Sequence, residues 1–348
     1  MSENITRQSF RAESQRNKRG CGLYTRITFR APLSFSAGIG YNPGQLPEGE
    51  NTVDGTWEKG SLQLSGTEME YIAFGSGSRN LVVLPELSFR PLRGVGGVLA
   101  RKYRIFEGEW RVWFLDAKEN LPDICTAEDL AEDAAVAMQK LGIDRADVLG
   151  ISMGGMVAQY LALRHPELAA KLVLAVTLSR SNAAMTEAAE KWATAAAAGD
   201  YESVARDMLT RVYSEAFVAR YGKVFPMTAH MEPLRDPRQF VRLARACLTC
   251  DTYDALPSLR CPALVIGGRQ DRVVTGEASV EMAERIGCPL YMYENLGHSA
   301  FEEGTDFVQR VYDFLKKEGP ERNLTEDGNE QTALSAVGTG RVSAGFAL

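Results

Sequence analysis

The chain has 348 residues, of which 45% are hydrophobic, enough apolar material for a substantial buried core in one large domain or two ordinary ones. A net charge of −6 argues against a general nucleic-acid binder, whose affinity would rest on Lys and Arg meeting phosphates. No apolar run approaches the eighteen or so residues that span a bilayer, so no membrane span is expected.

The first twenty residues are polar and lack an apolar h-region, which predicts a cytoplasmic protein without a secretory leader. Residues 1–56 carry Arg7, Arg11, Arg16, Lys18, Arg19, Arg26 and Arg30, and glycine, serine and proline interrupt any period. They read as a flexible N-terminal extension; a transit peptide is the weaker reading, because the amphipathic period is poor. From Trp57 the pattern becomes regular. Strands are predicted at 69–74 and 81–84, split by the turn Gly75-Ser76-Gly77 and read as a hairpin or neighbouring pair. A helical stretch at 95–106 leads to a buried strand at 111–115 that ends at Asp116. Thr126, followed by Glu128 and Asp129, caps a helix over 127–141.

A strand at 146–149, a helix after Ser152 and a strand at 171–176 continue the alternation, which implies an α/β fold with a mostly parallel sheet and helices on both faces. Alternation stops over 182–254, where helices at 183–198, 201–212 and 237–250 read as a helical cap. Its first helix is alanine-rich with Trp192 as its main bulk, so mobility is expected there. Leu209, Val212, Phe217, Phe225, Met227 and Met231 are candidate pocket residues, although apolar stripes at helical spacing are more often core. Strands return at 262–266 and 289–293, with helices at 276–286 and 301–317. Core segments are therefore 57–181 and 255–317, and 318–348 reads as a disordered tail.

Six cysteines scattered over a long chain point to reduced thiols rather than a disulfide scaffold. Cys247 and Cys250 have CxxC spacing, but no second pair and no nearby histidine completes a metal site, so ordinary helix packing is expected. Neither Gly94-Val95-Gly96-Gly97 nor the glycines around Ser152 has the lysine of a P-loop or the dinucleotide fingerprint. No cofactor and no metal are predicted.

The chemistry concentrates in Gly150-Ile151-Ser152-Met153-Gly154-Gly155, where an apolar run meets a glycine-flanked serine and a helix follows. That is the layout of a nucleophile elbow. With 32 glycines in the chain the pentapeptide also arises by chance, so context must decide. A serine nucleophile needs a base and a group to orient that base, and only three histidines exist. His165 lies about thirteen residues along the helix from Ser152, roughly 20 Å away, and reads as a last-turn residue interacting with helix carbonyls. His230 falls in an irregular part of the cap and is expected in solvent. His298, in Gly297-His298-Ser299, and Asp271, after Gly267-Gly268-Arg269-Gln270, both follow predicted strands, so three strand ends converge on one crevice.

The order Ser152, Asp271, His298, together with these motifs, resembles the α/β-hydrolase superfamily in its lidded esterase and lactonase-like branch, over about residues 66–317. The resemblance implies a Ser-His-Asp triad that cleaves a carboxylic ester, lactone or related acyl bond of a small, fairly apolar substrate through an acyl-enzyme. It further implies an oxyanion hole made by the amides of Met153 and Leu87. In Pro85-Glu86-Leu87-Ser88, Glu86 stands where relatives have glycine. A strained positive φ or a carboxylate aimed into the crevice would impair turnover, leaving a non-catalytic ligand-binding relative as the alternative; an outward-turned Glu86 is expected.

Overall fold

Six runs become parallel strands because they are flanked by turns and rich in aliphatic or aromatic side chains. In the computed structural model, which describes residues 57–223, 225–230 and 234–317, one eight-stranded sheet has the order β1-β2-β4-β3-β5-β6-β7-β8. Its strands are β1 (Trp57–Leu64), β2 (Thr67–Phe74), β3 (Arg79–Leu84), β4 (Trp110–Leu115), β5 (Ala146–Ile151), β6 (Ala169–Ala175), β7 (Ala263–Gly268) and β8 (Leu290–Tyr293). β1 and β2 form an antiparallel hairpin and β2 runs antiparallel to β4; every later pairing is parallel. The predicted extension 1–56 and tail 318–348 lie outside the described residues, as does Met231.

One expectation is corrected here. The strands predicted at 69–74 and 81–84 are not paired, because β4 lies between them. β3 donates its edges to β4 and β5, both parallel, and β2 turns back over β1 instead. Two short strands with a glycine turn look like a hairpin in sequence, yet Gly77 sits against the Glu109 and Trp110 backbone, where no side chain fits.

Side chains alternate between two cores, as a pleated strand requires. On β5 and β6, Val148, Leu172 and Leu174 face one layer while Leu149, Val173 and Ala175 face the other. The first layer is covered by α2 (Ala127–Lys140), α3 (Met153–Arg164) and α8 (Gly276–Ile286). The second is covered by α1 (Gly96–Lys102) and α10 (Phe307–Lys316). Thr126 closes a capping box with Asp129, as its sequence predicts. The last predicted helix, 301–317, is broken into α9 (Ala300–Glu303) and α10 at Gly304, where an added Cβ would meet the Ala300 carbonyl at 2.5 Å.

Between β6 and β7 the chain inserts α4 (Ala183–Ala197), α5 (Tyr201–Val212), α6 (Glu215–Tyr221) and α7 (Pro237–Ala246), capped by Asn182, Asp200, Ser214 and Asp236. α4 is not the loosely held helix its alanine content suggests. Met185, Ala188, Ala189, Trp192, Ala193 and Ala196 are all buried, and the Trp192 indole donates to Asp207 at 2.8 Å. Small side chains here permit close approach to α7 rather than mobility. None of the described helices is long and apolar enough to cross a membrane.

Candidate active site

Ser152 has φ 52° and ψ −115°, a left-handed conformation held at the junction of β5 and α3. The flanking glycines explain how the turn is tolerated. A Cβ on Gly150 would meet the Gly154 carbonyl at 2.5 Å, and one on Gly154 would lie 1.9 Å from the Leu84 carbonyl oxygen. The turn is locked from outside as well: the Ser152 amide donates to Ala175 O at 2.9 Å, and the Thr177 hydroxyl donates to Ser152 O at 2.7 Å.

His298 and Asp271 come from neighbouring loops that pack back to back. Gln270 donates its amide to Leu296 O at 2.9 Å, and Gly268 lies so close to Gly297 that an added Cβ would be 2.1 Å from the Gly297 carbonyl. The Asp271 carboxylate accepts the Val273 and Val274 amides on Oδ1, at 2.7 and 2.9 Å, leaving Oδ2 for His298 Nδ1 at 2.8 Å. His298 Nε2 lies 2.8 Å from Ser152 Oγ. All three residues are buried. The structure therefore brings Ser152, His298 and Asp271 into one hydrogen-bonded chain, in which the tautomer that donates Nδ1–H to the carboxylate leaves Nε2 as an acceptor toward Ser152 Oγ.

The other two histidines are elsewhere. His165 places Nε2 3.0 Å from Glu132 Oε2, so a carboxylate on α2, not the helix carbonyls expected from its position, takes its ring. His230 is exposed and meets Glu202 at 3.2 Å. Cys247 and Cys250 are free buried thiols, each pushed up to about 12 by burial, and no cluster of metal-ligating groups exists among the described residues.

The loop after β3 lies against the elbow, since the Leu84 and Pro85 carbonyls crowd Gly154. Leu87 is buried in this loop and Met153 opens α3, where the Gly155 and Met156 amides already donate to Ser152 O at 2.9 and 3.2 Å. Glu86 keeps the unstrained backbone that was expected but departs from the expected direction. Its φ is not in the left-handed region, so glutamate is unstrained there. Its side chain turns inward, with Lys102, His298 and Asp116 as its charged neighbours, and burial pushes its carboxyl above the ordinary range. Its neighbours Lys102 on α1 and Glu302 on α9 come from distant segments, which no local pattern announces.

Several site residues were not singled out in the sequence. Glu302, four positions past His298, takes a hydrogen bond from the Tyr213 hydroxyl and has Glu86 and Lys102 nearby. Arg235, between α6 and α7, reaches the Ser88 carbonyl at 3.1 Å and Asp116 at 2.8 Å. Of the candidate pocket residues, Phe217 stacks on Tyr213 with ring centroids 4.1 Å apart and Phe225 stands edge-on to Tyr213, whereas Met227 is exposed. Spacing gave no signal for the polar members, because charged residues on irregular segments have no period.

A profile of the alpha/beta hydrolase fold matches residues 117–305, which contain the whole relay. The chain belongs to the α/β-hydrolase fold family. It is 26% identical over 195 residues to 3-oxoadipate enol-lactonase 1 of Acinetobacter baylyi, covering 55% of this chain and 71% of that protein. It is 28% identical over 225 residues to a 2-hydroxy-6-oxononadienedioate/2-hydroxy-6-oxononatrienedioate hydrolase of Pseudomonas, covering 60% and 78%. The crystal structure of an enol-lactonase from Burkholderia xenovorans LB400 superposes with a TM-score of 0.66 at 25% identity, covering 74% of this chain and all of that one. With these relatives the α/β-hydrolase chain is an enzyme of the hydrolase class.

Proposed function

We propose that this α/β-hydrolase cleaves a carboxylic ester, lactone or related acyl bond of a small, fairly apolar substrate through an acyl-enzyme on Ser152. The supporting observation is the pair of 2.8 Å contacts that link Ser152 Oγ to His298 Nε2 and His298 Nδ1 to Asp271 Oδ2. In this reading His298 takes the hydroxyl proton as Ser152 attacks and returns it to the leaving group. Asp271, its other oxygen occupied by two backbone amides, holds the imidazole in the required tautomer and stabilises its cation. Water then attacks the acyl-enzyme with His298 as base.

The developing oxyanion would sit between the amides of Met153 and Leu87. An inward Glu86 does not forbid this, because the Lys102 ammonium stands beside its carboxyl and offsets its repulsion of an oxyanion. We assign 182–254 as a cap over the core segments 57–181 and 255–317, with Tyr213, Phe217 and Phe225 offering the apolar wall. The relatives' names include an enol-lactonase and a hydrolase of 2-hydroxy-6-oxononadienedioate, so the scissile bond is a matter for assay. A reducing, cytoplasmic setting is supported by five free cysteines among the described residues.

A fluorophosphonate probe and a series of p-nitrophenyl esters test the reading. Wild-type protein should be labelled at Ser152 and hydrolyse short acyl esters. Ser152→Ala should lose both, and Asp271→Asn should retain the fold while turnover falls by about 10⁴. Labelling that persists in Ser152→Ala would overturn the assignment.

A further inference from the structure

Beside the relay lies a group of polar side chains that the acyl-transfer step leaves unused. Glu86 enters it from the loop after β3, Lys102 and Tyr103 from the end of α1, Tyr213 from the end of α5 and Glu302 from α9. Two of these groups lack partners. The Tyr103 hydroxyl belongs to a fully buried side chain and has no hydrogen-bond partner, and its charged neighbours are Glu86 and Glu302. Glu302 Oε2 is also buried without a partner, although the same carboxyl takes the Tyr213 hydroxyl. Orphaned polar atoms of this kind are rare in native proteins and call for an explanation, of which a bound polar group is one. Glu86 and Glu302 each keep some accessible surface, so neither is sealed off from a ligand.

The charges around this space do not balance. Asp116 is neutralised by Arg235 and accepts the Leu92 and Ala117 amides. Glu303 is satisfied by the Ser214 amide at 3.0 Å, the Ser214 hydroxyl at 2.5 Å and the Ser299 hydroxyl. His298 is engaged by Asp271 and Ser152. Among the described residues, Glu86 and Glu302 are left with one cation between them, Lys102, which donates to Phe301 O at 3.0 Å and lies 5.8 Å from the Tyr103 ring centroid. Two carboxyls thus face one ammonium. Without a further cation the imbalance is met by a retained proton: burial, and then the nearby Glu86 charge, push Glu302 up to about 7.

We propose that Glu86 and Glu302, with the hydroxyls of Tyr103 and Tyr213, form a subsite for a primary ammonium group on the substrate. The chemistry matches in number as well as sign. An R–NH₃⁺ group has three donors and no acceptor, and the site offers the Glu86 carboxylate, Glu302 Oε2 and the Tyr103 hydroxyl oxygen as acceptors. Binding replaces the proton on Glu302 by the ligand's charge, so a proton leaves to solvent. The same walls disfavour a substrate with a carboxylate at this position, because a third negative charge would enter an enclosed site. Only the assignment of the ammonium group to a substrate rests on the acyl-transfer reading; the binding itself does not require turnover.

Calorimetry of the full-length protein with n-butylammonium, n-butanol and butyrate tests the subsite. Butylammonium should bind at least tenfold more tightly than butanol, and butyrate should not bind. Its affinity should rise about tenfold per pH unit up to about pH 7 and then level off, with close to one proton released near pH 6 when buffers of different ionisation enthalpy are compared. Glu302→Gln should weaken binding at least tenfold and abolish proton release, and Glu86→Gln should weaken it independently; circular dichroism checks that each is folded. Equal affinity for butanol, or unchanged butylammonium binding in both folded variants, would overturn the proposal. Amine binding without ester hydrolysis would retain the subsite and remove the acyl-transfer reading, whereas ester hydrolysis without amine binding would do the reverse.

Discussion

Arg235 and Asp116 form a buried ion pair, Nη2 to Oδ1 at 2.8 Å, that joins the inserted helical segment to the end of β4. The arginine does more than balance a charge. Its Nε donates to Ser88 O at 3.1 Å, its own amide donates to Phe89 O at 2.8 Å, and Tyr201 donates its hydroxyl to Arg235 O at 2.7 Å. The loop that carries Glu86 and Leu87 is therefore braced from the insertion, while Asp116 Oδ2 accepts the Leu92 amide at the loop's far end.

Removing one partner of such a pair leaves a buried uncompensated charge, at a cost of about 3–5 kcal/mol. Arg235→Ala should lower the melting temperature by roughly 6–20 °C for a domain of this size. If the brace also sets the oxyanion amide, kcat on p-nitrophenyl acetate should fall at least tenfold with KM little changed, and added guanidinium should restore part of it. A melting shift with kcat intact would reduce the contact to a structural one.

Gly154→Ala offers a second test of the same loop. Its Cβ would lie 1.9 Å from the Leu84 carbonyl oxygen and 2.7 Å from that of Pro85, both backbone atoms that cannot rotate away. Overpacking of this kind costs about 1–3 kcal/mol. The expected result is a lower melting temperature together with a fall in kcat, because relief pushes the loop off the elbow. Gly97→Ala is the control: its new Cβ meets only Trp57 at an ordinary 3.5 Å, and helix propensity predicts a gain of up to about 1 kcal/mol.

Glu302 gives the stability a pH dependence of known sign. Its folded carboxyl is raised from 4.5 to about 7, so the folded state binds the proton more tightly than the unfolded one. This contribution is fully present below about pH 4.5 and is lost as pH rises through about 7. Thermal melts from pH 5 to pH 8 should show Glu302→Gln gaining stability relative to wild type as pH increases. A constant difference across that range would mean that the carboxyl is ionised throughout.

Much of the architecture was legible along the chain. The alternation of apolar runs with helical periods marks the parallel strands and the break at 182–254, because each element buries one face and repeats accordingly. Ser152, Asp271 and His298 were legible for a related reason: each follows a strand, and in a sheet of parallel strands all such ends open on one side. The glycines around Ser152 identify a turn whose backbone must approach other backbone closely.

Pairing of the early strands was not legible, since β4 enters between β2 and β3 from 26 residues beyond β3 and the apolar runs are compatible with either order. Neither was the direction of Glu86, nor the attachment of Arg235 to a carbonyl 147 residues away. Sequence by itself determined the period of each element and the loops that bear Ser152, His298 and Asp271, because these follow from backbone geometry within a few residues. Only the tertiary structure decided which polar side chains share the buried space beside them. That choice depends on desolvation and charge balance among segments distant in the chain, for which no local pattern exists.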